Sequence, residues 1–214
     1  MKPVSEYSTI RPGVFFWQGY ETEVKCDCSS SAVVTPAGVI FIDPIPLAEE
    51  ALRDLVVESE SSPSAVLLTS GNHQRESLAF ARRFGIPIFA PKDAGEEIVA
   101  DQRFVSGEGV AGMKAITLLG FGPGETAFSF EDILIFGDAL INLEPEGMRL
   151  LPEKYRTDKK QSLRSLSALQ LLAPEILLFA HGTPVLQRAS ERLACLIAES
   201  DGISCRHAGA KGGK

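Results

Sequence analysis

Three apolar runs in this sequence each lead into a residue that can bind a metal ion or move a proton. These residues are His73, Asp138 and His181, which follow the runs 65–68, 133–136 and 175–180. Imidazole and carboxylate groups bind divalent transition metals and are common general acids and bases. Sites in sheets with parallel strands form just beyond the carboxyl ends of those strands. We therefore predict that the three residues meet at one edge of a sheet.

The composition is that of a single globular domain. The 214 residues are 44% hydrophobic and 23% charged, with a net charge of −7. We assign residues 1–205 to the domain and residues 206–214 to a disordered tail. A negative net charge disfavours nucleic acid and anionic membranes as partners. No run approaches the ~20 apolar residues of a membrane helix, and the N-terminus lacks the apolar core of a signal peptide.

A cytoplasmic location and a small-molecule substrate or ligand are therefore expected, and the sequence specifies no oligomeric state. The four cysteines fit this location if all are reduced. Cys26 and Cys28 would point to the same face of a strand, but residues this close on one extended chain rarely form a disulfide. Cys195 lies in a helical pattern and is expected to pack in the core.

Apolar patterns predict strands in the first third of the chain and again after residue 112, with helices between them. The predicted strands are 13–17, 31–35, 38–42, 86–90, 115–119 and 127–130, and the helical patterns are 47–57, 76–84, 163–169 and 189–197. Gly85 is expected to end the second helix. Mixed sheets with helices on their outer faces satisfy this order. The fold class is therefore α/β or α+β, arranged as a sandwich.

Five segments, in order, resemble motifs of the metallo-β-lactamase superfamily. They are Gly38-Val-Ile-Phe-Ile-Asp43, Leu68-Thr69 with the polar loop after it, Pro123-Gly-Glu-Thr-Ala127, Phe136-Gly-Asp138 and Phe179-Ala-His-Gly182. They resemble the strand ending in aspartate, the His-x-His-x-Asp-His metal loop, the Pro-Gly-His-Thr segment, the Gly-Asp segment and the closing Gly-His-Gly. The resemblance spans residues 10–200 and implies an αββα four-layer sandwich with its site at one edge.

The metal loop departs from the family's pattern, and two alignments are open. An alignment anchored at Thr69 replaces the family's ligands by Ser70, Asn72, Gln74 and Arg75. An alignment anchored on the next helix, through Phe84-Gly85, keeps His73 as the last histidine of the motif and deletes two loop residues. We prefer the second alignment, because packing fixes a helix whereas a loop tolerates deletion.

In the preferred alignment the resemblance implies four metal ligands and two catalytic groups. The ligands are His73, Glu125, Asp138 and His181, and the catalytic groups are Arg75 and Asp138. Glu125 stands where the family has a histidine, and Arg75 would stabilise developing negative charge. The third histidine, His207, lies in the tail. The chain therefore has too few histidines for the family's two-metal centre, and we expect one divalent ion (Zn, Mn or Fe) or none.

Each candidate also has a purely structural interpretation. His73 or Asn72 would cap the following helix, Asp138 would close a Gly-Asp turn, and His181 would bond to backbone in the core. Glu125 would pair with Arg75, which neutralises both groups and leaves no metal site.

Two functions are thus open. The first is a single-metal hydrolase acting on an ester, thioester, amide or phosphoester. The second is a metal-free relative that binds a small anion or a protein as a regulatory module. Degradation of antibiotics is not expected, because the metal loop lacks its first two histidines.

Overall fold

Two large sheets form the centre of the molecule. The computed structural model describes residues 1–204, so the predicted tail 206–214 and His207 lie outside the described residues. The first sheet contains, in both chain order and spatial order, β1 (Ser8–Arg11), β2 (Val14–Glu21), β3 (Cys26–Thr35), β4 (Gly38–Ile42), β5 (Pro63–Leu67), β6 (Ile88–Pro91) and β7 (Gln102–Phe104). Strands β1 to β4 are antiparallel, and β4 to β7 are parallel.

The second sheet has five strands in the order β14-β11-β10-β9-β8. The remaining strands of the described chain are β8 (Gly109–Val110), β9 (Met113–Thr117), β10 (Thr126–Phe130), β11 (Ile133–Phe136), β12 (Leu140–Leu143), β13 (Gly147–Leu150) and β14 (Ile176–Phe179). Strands β12 and β13 form a separate two-stranded sheet, whereas β11 and β14 are parallel neighbours at the edge of the five-stranded sheet.

Helices cover the outer face of each sheet. They are α1 (Glu49–Glu58), α2 (Ser77–Phe84), α3 (Lys159–Leu169) and α4 (Ala189–Ser200). Leu55 of α1 and Phe80 of α2 pack on the outer face of the first sheet. Leu166 of α3 and Leu193 of α4 pack on the outer face of the second. A third cluster lies between the sheets, so the layers are helix, sheet, sheet, helix, as predicted.

Local sequence explains most of these elements. Strands β4 and β11 have the predicted bounds, and α2 ends at Gly85, which adopts the left-handed conformation with φ 64°. Strand β3 begins at Cys26, five residues before the predicted start, because its buried serines bond to backbone: Ser29 to Gly182 and Ser30 to Asp43. The strands missing from the prediction are short or polar, namely β1, β7, β8 and the β12–β13 hairpin.

Two parallel strand pairs determine where the polar residues gather. In the first sheet β4 lies beside β5, with Ile42 opposite Leu67. In the second sheet β11 lies beside β14, with Phe136 opposite Phe179. The carboxyl ends within each pair are therefore adjacent. Within residues 1–204, none of the helices has the length and apolar character needed to cross a membrane.

Candidate metal centre

Asp43 and Thr69, just after β4 and β5, form the support of the site. Asp43 adopts the left-handed conformation with φ 47°, and its backbone N–H donates to Leu67. Its buried carboxylate accepts hydrogen bonds from the backbone N–H of Thr69, at 2.8 Å, and from the Thr69 hydroxyl. The aspartate therefore joins the ends of two strands.

His73 is held by this support. It ends a short 3-10 helix (Gly71–His73), and only 2% of its surface is exposed. Its Nδ1 lies 3.0 Å from Asp43 Oδ2 and 2.7 Å from Thr69 Oγ1. Because both neighbours fix Nδ1, Nε2 is turned toward Asp138. The helix-capping interpretation of His73 is wrong, since α2 has no side-chain cap.

Asp138 and His181 come from the parallel pair of the second sheet. Asp138 Oδ1 lies 3.3 Å from His181 Nε2 and 3.3 Å from His73 Nε2. Asn72 does not cap the next helix, as proposed from the sequence; it donates to Asp138 Oδ2 at 3.1 Å. Gly137 allows this approach, because a Cβ there would lie 2.5 Å from Thr69 Oγ1. Three sequence-predicted candidates thus meet.

The three atoms have the separations of a metal-binding set. In a tetrahedral zinc site with Zn–N of ~2.0–2.1 Å and Zn–O of ~2.0–2.2 Å, ligand nitrogen and oxygen atoms lie about 3.4 Å apart. Both N–O separations here are 3.3 Å, and His73, Asp138 and His181 form one of two such groups among residues 1–204. His73 Nε2 is buried and makes no hydrogen bond of normal geometry. An unsatisfied ring nitrogen aimed at a carboxylate and a second imidazole fits a metal.

The electrostatics of this group are tightly coupled. Burial opposes ionisation of Asp138, but the charges of His73 and His181 outweigh it and lower the pKa of Asp138. Burial likewise lowers the pKa of His73, but Asp43 and Asp138 together more than compensate, so that this pKa is raised. Burial also opposes protonation of His181, yet Asp138, Cys26 and Cys28 raise its pKa to about 11. A metal ion would have to displace these protons, so its binding would release them.

Arg75 lines the same cavity but does not pair with Glu125. Its Nη1 donates to the carbonyl oxygens of Ser29, at 2.8 Å, and Asp43, at 3.1 Å, and its Nη2 donates to that of Ala180, at 3.1 Å. Its Nη2 also lies 3.4 Å from His181 Nε2. The ion pair considered from the sequence is therefore wrong, because neutral carbonyl groups of both sheets take up the guanidinium donors.

Glu125 is buried beside the group rather than within it. Its Oε1 accepts a hydrogen bond from the backbone N–H of Ala139 at 2.8 Å. Burial, helped by the charge of Asp138, raises the pKa of Glu125 to about 8, so that the group is mostly protonated at neutral pH. Its role as a ligand stays a prediction.

Two cysteines that the sequence did not mark as site residues contact His181. Cys26 Sγ lies 3.4 Å and Cys28 Sγ 3.9 Å from His181 Nδ1. Their spacing could have indicated that both thiols point to one side of the sheet, since alternate residues of a strand share a face. Both thiols are free, but Cys195 is disulfide-bonded. The expectation of four reduced cysteines is therefore wrong.

Two cavities open on either side of Asp138 and Asn72. The larger, of about 600 Å³, is lined by His73, Arg75 and His181, among others. The second, of about 540 Å³, contains Glu125 and the buried, unpartnered hydroxyl of Ser70. Tyr155 lines it as well. All three residues of the group line the larger cavity, and Asp138 lines the second as well.

Comparisons with known proteins agree with this architecture. The metallo-β-lactamase DIM-1, in a crystal exposed to ceftazidime, has a TM-score of 0.72 and 14% identity, covering 94% of this chain and 100% of that one. A metallo-β-lactamase from Pontibacter korlensis has a TM-score of 0.69 and 15% identity, covering 90% and 98%. A metallo-β-lactamase family protein from Thermus thermophilus has a TM-score of 0.65 and 19% identity, covering 91% and 81%.

At these identities the solved structures establish the fold alone, and no curated protein matches the chain. The family model described as the metallo-beta-lactamase superfamily, however, matches residues 6–200. The matched residues include every strand and helix described above, from the start of β1 to the end of α4. The chain therefore belongs to the metallo-β-lactamase superfamily.

Proposed function

We propose that this protein is a metal-dependent hydrolase that uses one divalent ion. His73 Nε2, Asp138 Oδ1 and His181 Nε2 would hold the ion, and the substrate would be an ester, thioester, amide or phosphoester. The observation that carries the proposal is the convergence of these atoms at 3.3 Å separations, with His73 Nε2 lacking a hydrogen bond. Two imidazoles and a carboxylate suit Zn²⁺, Mn²⁺ or Fe²⁺.

The surrounding residues orient the ligands. Asp43 and Thr69 fix the Nδ1 side of His73, and Asn72 fixes Asp138. Such partners set the tautomer and direction of a ligand. A metal in this position would supply a Lewis acid that polarises the scissile group and acidifies a water. Arg75, anchored to three carbonyl oxygens, presents positive charge to the cavity where the anionic transition state would form.

Metal content after reconstitution with zinc, manganese and iron tests the proposal. Elemental analysis should find close to one metal per chain in the wild type and much less in Asp138→Asn and His73→Gln. Asp54→Asn, which removes an exposed carboxylate on α1, is the matched control and should bind like the wild type. Hydrolysis of nitrophenyl acetate and nitrophenyl phosphate should follow metal content. A wild type that stays nearly metal-free with all three ions would contradict the proposal.

The charge of Arg75 favours a second candidate, a metal-free module that binds a small anion. Its partners are neutral carbonyls, and its Nη2 lies 3.4 Å from His181 Nε2, where it opposes a cation. In this case the melting temperature should not change when chelators or metals are added. It should rise with phosphate, since a ligand that binds only the folded state stabilises it. A rise with one metal instead would favour the hydrolase.

The cavity volume of about 600 Å³ supports a small-molecule substrate or ligand, because pockets for such molecules span ~300–1,000 Å³. The absence of nucleic-acid and membrane partners stays a prediction, as does a cytoplasmic location.

A further inference from the structure

His181 faces two different sets of potential ligands, one with each ring nitrogen. Its Nε2 faces Asp138 and His73, the group described above. Its Nδ1 faces the thiols of Cys26 and Cys28, which form the second group of potential metal ligands among residues 1–204. The second group is chemically different, because thiolates are soft ligands and the first group has only nitrogen and oxygen.

We propose that Cys26, Cys28 and Nδ1 of His181 form a separate binding site for a thiophilic metal ion such as Zn²⁺. Strand β3 places the two thiols on one face, and the register of β11 and β14 brings His181 to them. Cys28 and His181 both line the 600 Å³ cavity, which leaves the remaining coordination positions open to solvent or ligand.

The distances match those of a bound ion. In a tetrahedral site with Zn–S of ~2.3 Å and Zn–N of ~2.0–2.1 Å, sulfur and nitrogen ligands lie about 3.6 Å apart. The two observed S–N separations, 3.4 and 3.9 Å, fall on either side of this value. All ligand atoms of the group lie within 4.8 Å of one another. The site therefore needs only small side-chain adjustments to close around an ion.

The charges nearby favour the thiolate form of Cys28. Burial alone raises the pKa of Cys28, but hydrogen bonding to His181 and the charge of Arg75 reverse the effect and lower it. Metal binding breaks the two S–H bonds and the Nδ1–H bond and forms two metal–sulfur bonds and one metal–nitrogen bond. The protons leave to solvent or to Nε2, and no electrons are transferred.

The two sites compete for the lone pair of one imidazole. When Nδ1 carries its proton, it donates to the carbonyl of Asp27, 3.1 Å away, and Nε2 is available to the Asp138 and His73 group. When Nδ1 binds an ion between the thiols, Nε2–H donates to Asp138, the carboxylate–histidine–metal arrangement. The tautomer of His181 thus selects between a harder and a softer site.

Cobalt(II) titration of the reduced protein distinguishes the sites in one spectrum. Cobalt bound by thiolates has an intense sulfur-to-metal charge-transfer band in the near ultraviolet, whereas cobalt bound by nitrogen and oxygen alone does not. We expect this band in the wild type and in His73→Gln, and its loss in Cys26→Ser/Cys28→Ser. The double variant keeps the other two cysteines, so loss of the band in this variant assigns the signal to Cys26 and Cys28.

Cobalt affinity measured through the band should fall about 10- to 100-fold or more in Cys28→Ser alone, since even residues that only support a ligand have effects of that size. Circular dichroism confirms that each variant folds, and the single variant Cys26→Ser, at a half-buried position, replaces a cysteine variant that does not. No band in the wild type, a band that persists in the double variant, or a band lost in folded His73→Gln would each overturn the proposal. Failure of the hydrolase proposal leaves these outcomes unchanged, because they involve no turnover.

Discussion

Two arginines join the two sheets at opposite ends of the sandwich, and they do so by different chemistry. Arg75 binds the carbonyl oxygens of Ser29, within β3, and of Asp43 and Ala180, which directly follow β4 and β14. Arg11, at the end of β1, binds the carboxylate of Asp132 just before β11. Arg11 is thus neutralised by an acid, whereas within residues 1–204 Arg75 contacts carbonyl oxygens and the His181 ring and forms no salt bridge. The same residue type therefore serves as a surface ion pair at one end and a source of positive potential at the other.

At the end of the sandwich that carries the candidate metal centre, removing the carboxylate of Asp43 should have the largest effect on stability. Asp43→Asn should lower the free energy of unfolding by about 3 to 5 kcal/mol, because it breaks the buried network with Thr69 and removes the carboxylate beside Nδ1 of His73. Chemical denaturation gives the value. Asp101→Asn is the control: its carboxylate accepts one backbone N–H, from Ile88, and the change should cost about 1 kcal/mol. Equal losses of stability in Asp43→Asn and Asp101→Asn would contradict a special role of the Asp43 network at the candidate metal centre.

Loss of the Arg75 cross-link should have the next largest effect. Arg75→Met removes three hydrogen bonds to carbonyl oxygens, so the free energy of unfolding should fall by about 3 kcal/mol, roughly 1 kcal/mol for each bond. For a domain of this size that corresponds to a fall in melting temperature of roughly 6–12 °C. Arg75→Lys keeps the charge without the planar fork and should recover only part of the loss. A loss smaller than that from Arg11→Met would reverse the comparison between the two ends.

Arg11→Met should have a small effect. The pair it forms with Asp132 is partly exposed, and such pairs contribute at most about 1 kcal/mol. The effect should shrink further in high salt, because salt screens exposed charges. Denaturation at low and high salt measures both. An effect of Arg11→Met that does not depend on salt would show that packing, rather than charge, holds this end.

The pH dependence of the Arg11→Met effect further tests the comparison between the two arginines. The hydrogen bond from Arg11 holds the pKa of Asp132 below its usual value. A carboxylate whose pKa is lowered on folding stabilises the protein above its unfolded pKa, near ~3.9, and that stabilisation is lost as the pH falls through the folded value. The difference between wild type and Arg11→Met should therefore be full at neutral pH and shrink below about pH 4. A difference that grows in acid would contradict this assignment.

The sequence predicts the fold well because each apolar run is long enough to show its periodicity. Asp138 and His181 are predictable as neighbours because they follow strands that a superfamily resemblance makes parallel. The partners of Arg75 are not predictable, since they are carbonyl groups, which every residue has. Cys26 and Cys28 escaped notice because His181 lies 155 residues after the first of them. Only the packing of the two sheets brings these groups together.

The register of β11 and β14 has a consequence for how this protein can change. Phe136 lies opposite Phe179, so the hydrogen-bond ladder, and not the intervening chain, sets the spacing of the two residues that follow. Insertions or deletions in the connection that carries α3 therefore leave the spacing of Asp138 and His181 intact. A slip of one residue along the ladder would instead turn Ala180 toward the cavity and the imidazole away from it.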